Sequence, residues 1–458
     1  MLEWVTMALY SLLLACVLAL GSPYWLWRMT RGGPGWMASL AARLGRVPRE
    51  LRVAVAGRQV VWVHAVSVGE VLAAARLVAD LEHALGDGWR IVVSTTTVTG
   101  HALARQRFAS EKEDAKSAGR VFYYPLDFAW AVRTYLRALQ PKILVLMESE
   151  LWPRMLVECA RAGVPVAVVN ARVSDRSFAR GMRVRSIWRR LLRRVNLFLA
   201  QSEEDAKRLV ALGADTGAVQ AAGNLKYDAV EPKASRVAAR IREITAGRAV
   251  VVAGSTVGGD QASASEEKIV AEAWRQVVAK EPASLLVLAP RHPERFEEAA
   301  KHLQGFRFVR ASAMEEASDG EKPDAVLLNT IGDLAAVYGV ADVVLVGGSL
   351  VTRGGHNPLE PARFGVPVVM GPSYENFRDI VAKMQAADGI RIVKDGAELQ
   401  AAIVELLSDR HAAKAMGERG RQVFEQQQGA TARTVEALME LMRSGAGMRA
   451  DEIQEAAQ

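Results

Sequence analysis

The chain has 458 residues, half of them hydrophobic, with 58 Lys+Arg against 51 Asp+Glu for a net charge of +7. That length exceeds one ordinary core and predicts two domains, while the apolar content excludes a disordered chain. The two cysteines, Cys16 and Cys159, build neither a disulfide framework nor a zinc site.

No charged residue occurs from Trp4 to Trp27. As one helix this run would measure about 36 Å against roughly 30 Å of bilayer hydrocarbon, which predicts an N-terminal membrane anchor over residues 1–28. No basic segment precedes it and no small-x-small site follows, which argues against a cleaved signal peptide. Arg28, Arg31, Arg43, Arg46, Arg49 and Arg52 follow the run. By the positive-inside rule they place the rest of the chain in the cytoplasm. Tyr24, Trp25 and Trp27 form an aromatic belt that also fits a segment lying within one leaflet.

Apolar runs then alternate with helical patterns. Strands are expected at Val60–Val63, Ile91–Ser94, Ile143–Met147, Val166–Val169, Leu197–Ala200 and Ala218–Ala221, with helices near Glu70–Leu85 and Gly100–Phe108. After the charged stretch Tyr227–Arg248, strands are expected at Ala249–Ala253, Leu285–Ala289, Phe306–Val309, Val326–Leu328, Val343–Val346, Val366–Met370 and Ile390–Val393, with a long helix near Glu266–Glu281. Ser312–Asp324 reads as a surface loop, and helical patterns continue from Ala397 to about Met442. The rhythm predicts an α/β protein with two doubly wound parallel sheets facing a cleft. The expected boundaries are 50–225 for the first Rossmann-like domain, 226–248 for a linker, 249–425 for the second domain and 426–458 for a C-terminal helix and tail.

The polar motifs fall at strand ends. Gly347-Gly348-Ser349 and Gly354-Gly355-His356-Asn357-Pro358-Leu359-Glu360 follow Val343–Val346 and read as a glycine-rich turn into a helix. Asn357 can cap that helix, Pro358 suits its first position and Glu360 can close a capping box. The turn's free N–H groups would then face a phosphate, a nucleotide or a sugar oxygen, unless the turn is only a tight connection. His64-Ala65-Val66-Ser67-Val68-Gly69-Glu70 joins the first strand to its helix. Glu70 there can take a proton from an alcohol or serve the helix dipole. Glu148 and Glu150 follow Ile143–Met147 directly, where burial demands donors or a cation nearby, or else they cap the next helix. Asn170-Ala171-Arg172 follows the next strand, Asn224 precedes the linker and Lys226 opens it. In the second half Arg291, beside His292, can hold a phosphate bidentately, and Ser255 can donate its hydroxyl.

From His64 to about Phe377 the content and order of these motifs, completed by Gly371-Pro372 and Asn376-Phe377, resemble the 3-deoxy-D-manno-octulosonic acid (Kdo) transferases of bacterial lipopolysaccharide synthesis. The resemblance implies a GT-B glycosyltransferase at the cytoplasmic face of the inner membrane. It would move Kdo, with inversion, from CMP-Kdo to the glucosamine 6'-hydroxyl of a tetraacyl lipid A precursor and release CMP. No metal and no cofactor besides the donor substrate are implied. Glu70 becomes the catalytic base, with Glu148 and Glu150 beside it. His64, Ser67, Gly69, Arg172, Arg176 and Lys226 are assigned to the acceptor. Ser255, Arg291, His292, Gly332, Gly347, Gly348, Ser349, Gly354, Gly355, His356, Asn357 and Glu360 are assigned to the donor. Two departures stand out: Asn329-Thr330-Ile331-Gly332-Asp333 replaces an expected Asp-Thr-Met-Gly-Glu, and Gly254–Asp260 lacks a His-Pro-Gly-Glu continuation.

Arg172, Arg176, Arg180, Arg183, Arg185, Arg189, Arg190, Arg193 and Arg194 face only Asp175 as an opposing charge. Such a patch suits the phosphates of a lipid acceptor or anionic membrane lipids, and no nucleic-acid module accompanies it. Another GT-B sugar-nucleotide enzyme, such as an epimerase, or an inactive membrane-attached scaffold would share the sheets. Binding of a UDP sugar in place of CMP would select the first. Binding of donor and lipid without CMP release would select the second.

Overall fold

The computed structural model describes residues 7–20, 35–108, 119–148, 150–228, 234–245, 247–259, 264–314 and 322–455. The chain divides into two compact units, Met1–Asp228 with Gly429–Gln458, and Ala229–Gln428.

The first unit holds a sheet of β1 (Gln59–His64), β2 (Trp89–Thr95), β3 (Val121–Tyr123), β4 (Pro141–Met147), β5 (Val166–Ala171), β6 (Leu197–Ala200) and β7 (Val219–Ala221). All are parallel, in the order β3-β2-β1-β4-β5-β6-β7. Each strand is buried on both faces because helices cover both, which is why its sequence is a continuous apolar run instead of an alternation. One face packs Trp62, Leu144, Leu146 and Phe198, and the other packs Val61, Val63, Ile143 and Val145 against the helix Val68–Leu85. That helix buries Val71, Ala74, Leu77, Val78 and Leu81 at helical spacing. The final helix, Ala430–Glu455, adds Ala430 and Leu438 to the same core.

The second unit holds β8 (Ala249–Thr256), β9 (Ser284–Pro290), β10 (Phe308–Arg310), β11 (Ala325–Leu327), β12 (Val343–Val346), β13 (Val368–Met370) and β14 (Ile390–Ile392). They too are parallel, in the order β10-β11-β9-β8-β12-β13-β14. In both sheets one pair of neighbours marks where the winding reverses, β1 with β4 and β8 with β12. Open α/β sheets bind ligands beyond the carboxyl ends of such a pair.

The membrane anchor expected over residues 1–28 is not borne out. Within Trp4–Trp27 the described residues 7–20 are helical. Among the described residues no helix is long and apolar enough to cross a membrane. Nor is this helix apolar on every side: the Ser11 hydroxyl bonds to Met7 O, and Arg154 Nη2 donates to both Met7 O and Ser11 Oγ at 3.1 and 3.0 Å. The N-terminal anchoring helix and the inner-membrane placement drawn from a single anchor fall with it. Tyr24, Trp25 and Trp27 lie outside the described residues.

Candidate active site

In the first unit the switch point gathers the three carboxylates. Ser67, in extended conformation, ends the loop after β1 and places Glu70 in the first turn of the helix Val68–Leu85. Glu70 Oε2 accepts from Val66 N at 2.8 Å and Oε1 from the Ser67 hydroxyl at 2.9 Å. The carboxylate is thus fixed by its own loop. Only 7% of the residue is exposed. Burial pushes the Glu70 carboxyl up, Glu148 and Glu150 push it further as like charges, and the two hydrogen bonds oppose them. Burial and then Glu148 also raise Glu150.

Glu148 follows β4 with φ +57°, and Asn170 at the end of β5 has φ +55°. Neither is glycine, so the surrounding bonds must hold these left-handed conformations. Glu148 N donates to Val169 O at 2.8 Å, and its carboxylate accepts from Lys226 Nζ at 2.9 Å. Lys226 is placed in turn by Asn170 Oδ1, which accepts from Leu225 N, and by Asn224 Oδ1, which accepts from Lys226 N, both at 3.0 Å. Gln201 ties in by accepting from Asn224 Nδ2 and donating to Asn170 O. Gln201 was not expected from the sequence, where it lies in no motif.

His64 is fully buried at the end of β1. Its Nδ1 lies 3.1 Å from Ser94 O and 3.0 Å from Ser94 Oγ, and the ring stacks on Tyr124 at 3.8 Å. Since a carbonyl can only accept, Nδ1 carries the proton. Burial lowers the imidazole to about 3, so it is neutral at pH 7. Its Nε2 has no partner. Gly69 lies exposed in the first turn of the Glu70 helix, with open space where a Cβ would stand. Arg172 and Arg176 are exposed at and beyond the end of β5. Arg176 belongs to the helix Asp175–Arg183, which with Arg185–Leu192 presents Arg180, Arg183, Arg185, Arg189 and Arg190 around exposed Met182, Val184 and Ile187.

In the second unit the switch point brings together the ends of β8 and β12. Ser255 has φ +57°, and Arg291 N donates to Thr256 O at 2.8 Å. Gly347 admits no side chain, for a Cβ would lie 2.5 Å from Ser255 O. Gly348, at φ +67°, lies under the His356 ring. His356 N donates to Gly347 O at 3.0 Å, and its Nε2 is buried without a partner. Burial, then Arg291 and His292, lower that ring to about 4, so it too is neutral at pH 7. Asn357 Oδ1 accepts from Leu359 N at 3.1 Å. Glu360 keeps solvent exposure, yet desolvation by surrounding protein outweighs Arg291 and Arg363 and raises its carboxyl. Tyr338, buried beside Gly254, bonds to Ser255. Gly332 is exposed at φ +96°, and the neighbouring Asp333 accepts from Ser235 Oγ at 2.7 Å.

The N–H groups of the glycine-rich turn do not stand free. Glu266, fully buried, accepts from Gly348 N at 2.6 Å, Ser349 N at 2.9 Å, Leu350 N at 2.8 Å and Val257 N at 3.0 Å. Gly354 N donates to Ser373 Oγ and Gly355 N to Gly348 O. The turn's anion site is therefore filled by the protein's own carboxylate. That leaves these amides no hydrogen for a phosphate. The residue after Glu266, Glu267, pairs bidentately with Arg295. Only the doublet Glu266-Glu267 opening an amphipathic helix could have signalled this. Among the described residues no group of His, Cys, Asp and Glu is arranged to hold a metal ion.

Two doubly wound parallel sheets, each with polar groups at its switch point, define a two-sheet α/β protein consistent with the GT-B class. The UDP-GlcNAc 2-epimerase from Neisseria meningitidis, solved with UDP-GlcNAc, shares this fold at TM-score 0.53 and 12% identity, over 83% of this chain and all of that one. Residues 38–229 match the family described as 3-deoxy-D-manno-octulosonic-acid transferase (kdotransferase). The 3-deoxy-D-manno-octulosonic acid transferase of Bordetella pertussis is 35% identical over 90% of this chain and 94% of its own. That of Haemophilus influenzae is 33% identical over 83% and 86%. The chain belongs to the 3-deoxy-D-manno-octulosonic acid transferase family.

Proposed function

We propose that the chain transfers Kdo from CMP-Kdo to the glucosamine 6'-hydroxyl of a tetraacyl lipid A precursor, with inversion at the anomeric carbon. The acceptor oxygen attacks that carbon, its proton passes to Glu70, and the bond to the phosphate breaks so that CMP leaves with the electron pair. The observation that carries this reading is the Glu70 carboxylate, fixed by Val66 N and Ser67 Oγ at the switch point of the first sheet and raised by burial.

The first unit receives the acceptor. Its arginine-rich helices between Asp175 and Leu192 suit phosphates and anionic headgroups, and their exposed Met182, Val184 and Ile187 suit apolar chains. The Lys226 ammonium, held on Glu148, offers a positive charge where charge develops in the transition state. The second unit receives CMP-Kdo. Because Glu266 occupies the amides of the glycine-rich turn, its phosphate is left to Arg291 and the Ser255 hydroxyl, with ribose on Glu360.

The test is a single-turnover assay with CMP-Kdo and tetraacyl lipid A precursor, products identified by mass spectrometry. Wild type forms the Kdo-lipid, and Glu70→Gln binds CMP and lipid but slows the chemical step about 10² to 10⁴-fold. Wild-type chemistry in Glu70→Gln removes Glu70 as the base.

A further inference from the structure

At the carboxyl end of the first sheet Arg43 has no carboxylate partner among the described residues. Arg43 closes the helix Gly35–Arg43, upstream of β1. Its Nε donates to Ser39 Oγ at 3.3 Å and its Nη2 to Thr96 O at 2.5 Å, with the guanidinium 4.6 Å from the centre of the Tyr123 ring. Among the described residues no carboxylate pairs with it, and Nη1 makes no hydrogen bond to them. A half-buried guanidinium is costly unless an anion completes it.

Nearby, Thr96 Oγ1 and His64 Nε2 are buried with no partner, His64 being 0% exposed. His101 stacks on the Tyr123 ring at 3.9 Å and lies 3.1 Å from Thr95 Oγ1. The cluster is joined to the carboxylate across the site. Thr96 O accepts from Arg43, the next residue Thr97 donates to Val66 O through both N and Oγ1, and Val66 N donates to Glu70. Arg43 and Glu70 thus hang from one hydrogen-bonded pair of loops, at the ends of β1 and β2.

We infer that Arg43 is the counter-ion of an anionic group on the acceptor, either a phosphate monoester of the glycolipid or the carboxylate of a sugar acid already attached to it. Its planar fork meets the oxygens, and the Thr96 hydroxyl can donate to the remainder. The inference rests on the reading of the first unit as the acceptor side. It makes Arg43 a specificity residue, bound to a group that does not react.

The test compares wild type, Arg43→Lys and Arg43→Gln as full chains. Each is given CMP-Kdo with the bisphosphorylated lipid A precursor, the same lipid lacking either phosphate, and the lipid already carrying one Kdo. Arg43→Gln should raise KM for the group-bearing acceptor about 10 to 100-fold, the worth of one charge-assisted pair, with KM for CMP-Kdo within about twofold. The preference for that acceptor over the one lacking the group should shrink toward unity. Arg43→Lys should lose less. Loss confined to the phosphorylated lipids identifies a phosphate, and loss confined to the Kdo-bearing lipid identifies a carboxylate. An unchanged preference in both variants, or an equal loss on every acceptor, overturns the inference. If Arg43→Gln does not fold, an unchanged preference in Arg43→Lys does the same. Failure of wild type to use any of these lipids would instead overturn the proposed function itself.

Discussion

Glu148→Gln removes one of the like charges that raise Glu70, and it also releases Lys226 from its ion pair. Loss of the like charge favours ionised Glu70. A base whose carboxyl is raised loses activity as pH falls through that raised value, so the acid limb of the kcat profile should move to lower pH in Glu148→Gln. Single-turnover rates from pH 4 to 8 check this, and a limb that stays in place would detach Glu148 from Glu70. Lys226→Ala should leave the Glu148 carboxylate without its ion pair and slow turnover about 10²-fold if the ammonium meets developing charge. The sequence displayed Glu70, Glu148, Glu150 and Lys226 because each follows an apolar run at a strand end. It hid Gln201, which depends on neighbours far along the chain, Asn170 and Asn224.

At the scale of elements, the turn after β12 is held by the helix Glu266–Lys280, whose first residue reaches three successive amides of Gly348, Ser349 and Leu350. Glu266→Gln puts an NH2 against N–H donors in a fully buried place. It should cost the second unit about 3 to 5 kcal/mol, as breaking a buried charged contact does. Denaturant unfolding measures the loss, and calorimetric titration should show weaker CMP binding because the backbone carrying His356 is freed. Unchanged stability would mean that Glu266 is protonated and dispensable. Most strands were legible as short apolar runs, down to Val326–Leu328. The Val121–Tyr123 strand β3 was missed, and the exchange of β10 and β11 in sheet order has no local signature. The expected anchor failed for a related reason. Absence of charge between Trp4 and Trp27 cannot register the Ser11 hydroxyl or the reach of Arg154 to Met7.

For the whole molecule the decisive element is the last helix, Ala430–Glu455, which completes the first unit after the second has been traversed. Asp228, the last residue before the second unit, accepts from the amides of Gly429 and Ala430 at 2.7 and 3.3 Å and also from Thr431 N. Arg433 then donates to Ala222 O at 2.9 Å. Asp228→Ala should therefore lower the stability of the first unit by about 1 to 2 kcal/mol, the worth of a helix cap. Removal of residues 429–458 should expose the Leu77 and Leu81 side of the core and abolish the first unit's cooperative transition while sparing that of the second. Differential scanning calorimetry separates the two transitions. Their joint loss would mean that the second unit is not independently stable.

The exit and return beside Asp228 also bear on how the polypeptide is made. During synthesis the helix Val68–Leu85 is made before the second unit, but its covering partner only after it. Ala229–Gln428 must be made in between, which at 5–20 residues per second takes about 10 to 40 s. The nascent first unit waits through that interval with an apolar helix face open, while the second has all of its own residues in hand and can close first. The order of folding is then the reverse of the order of translation.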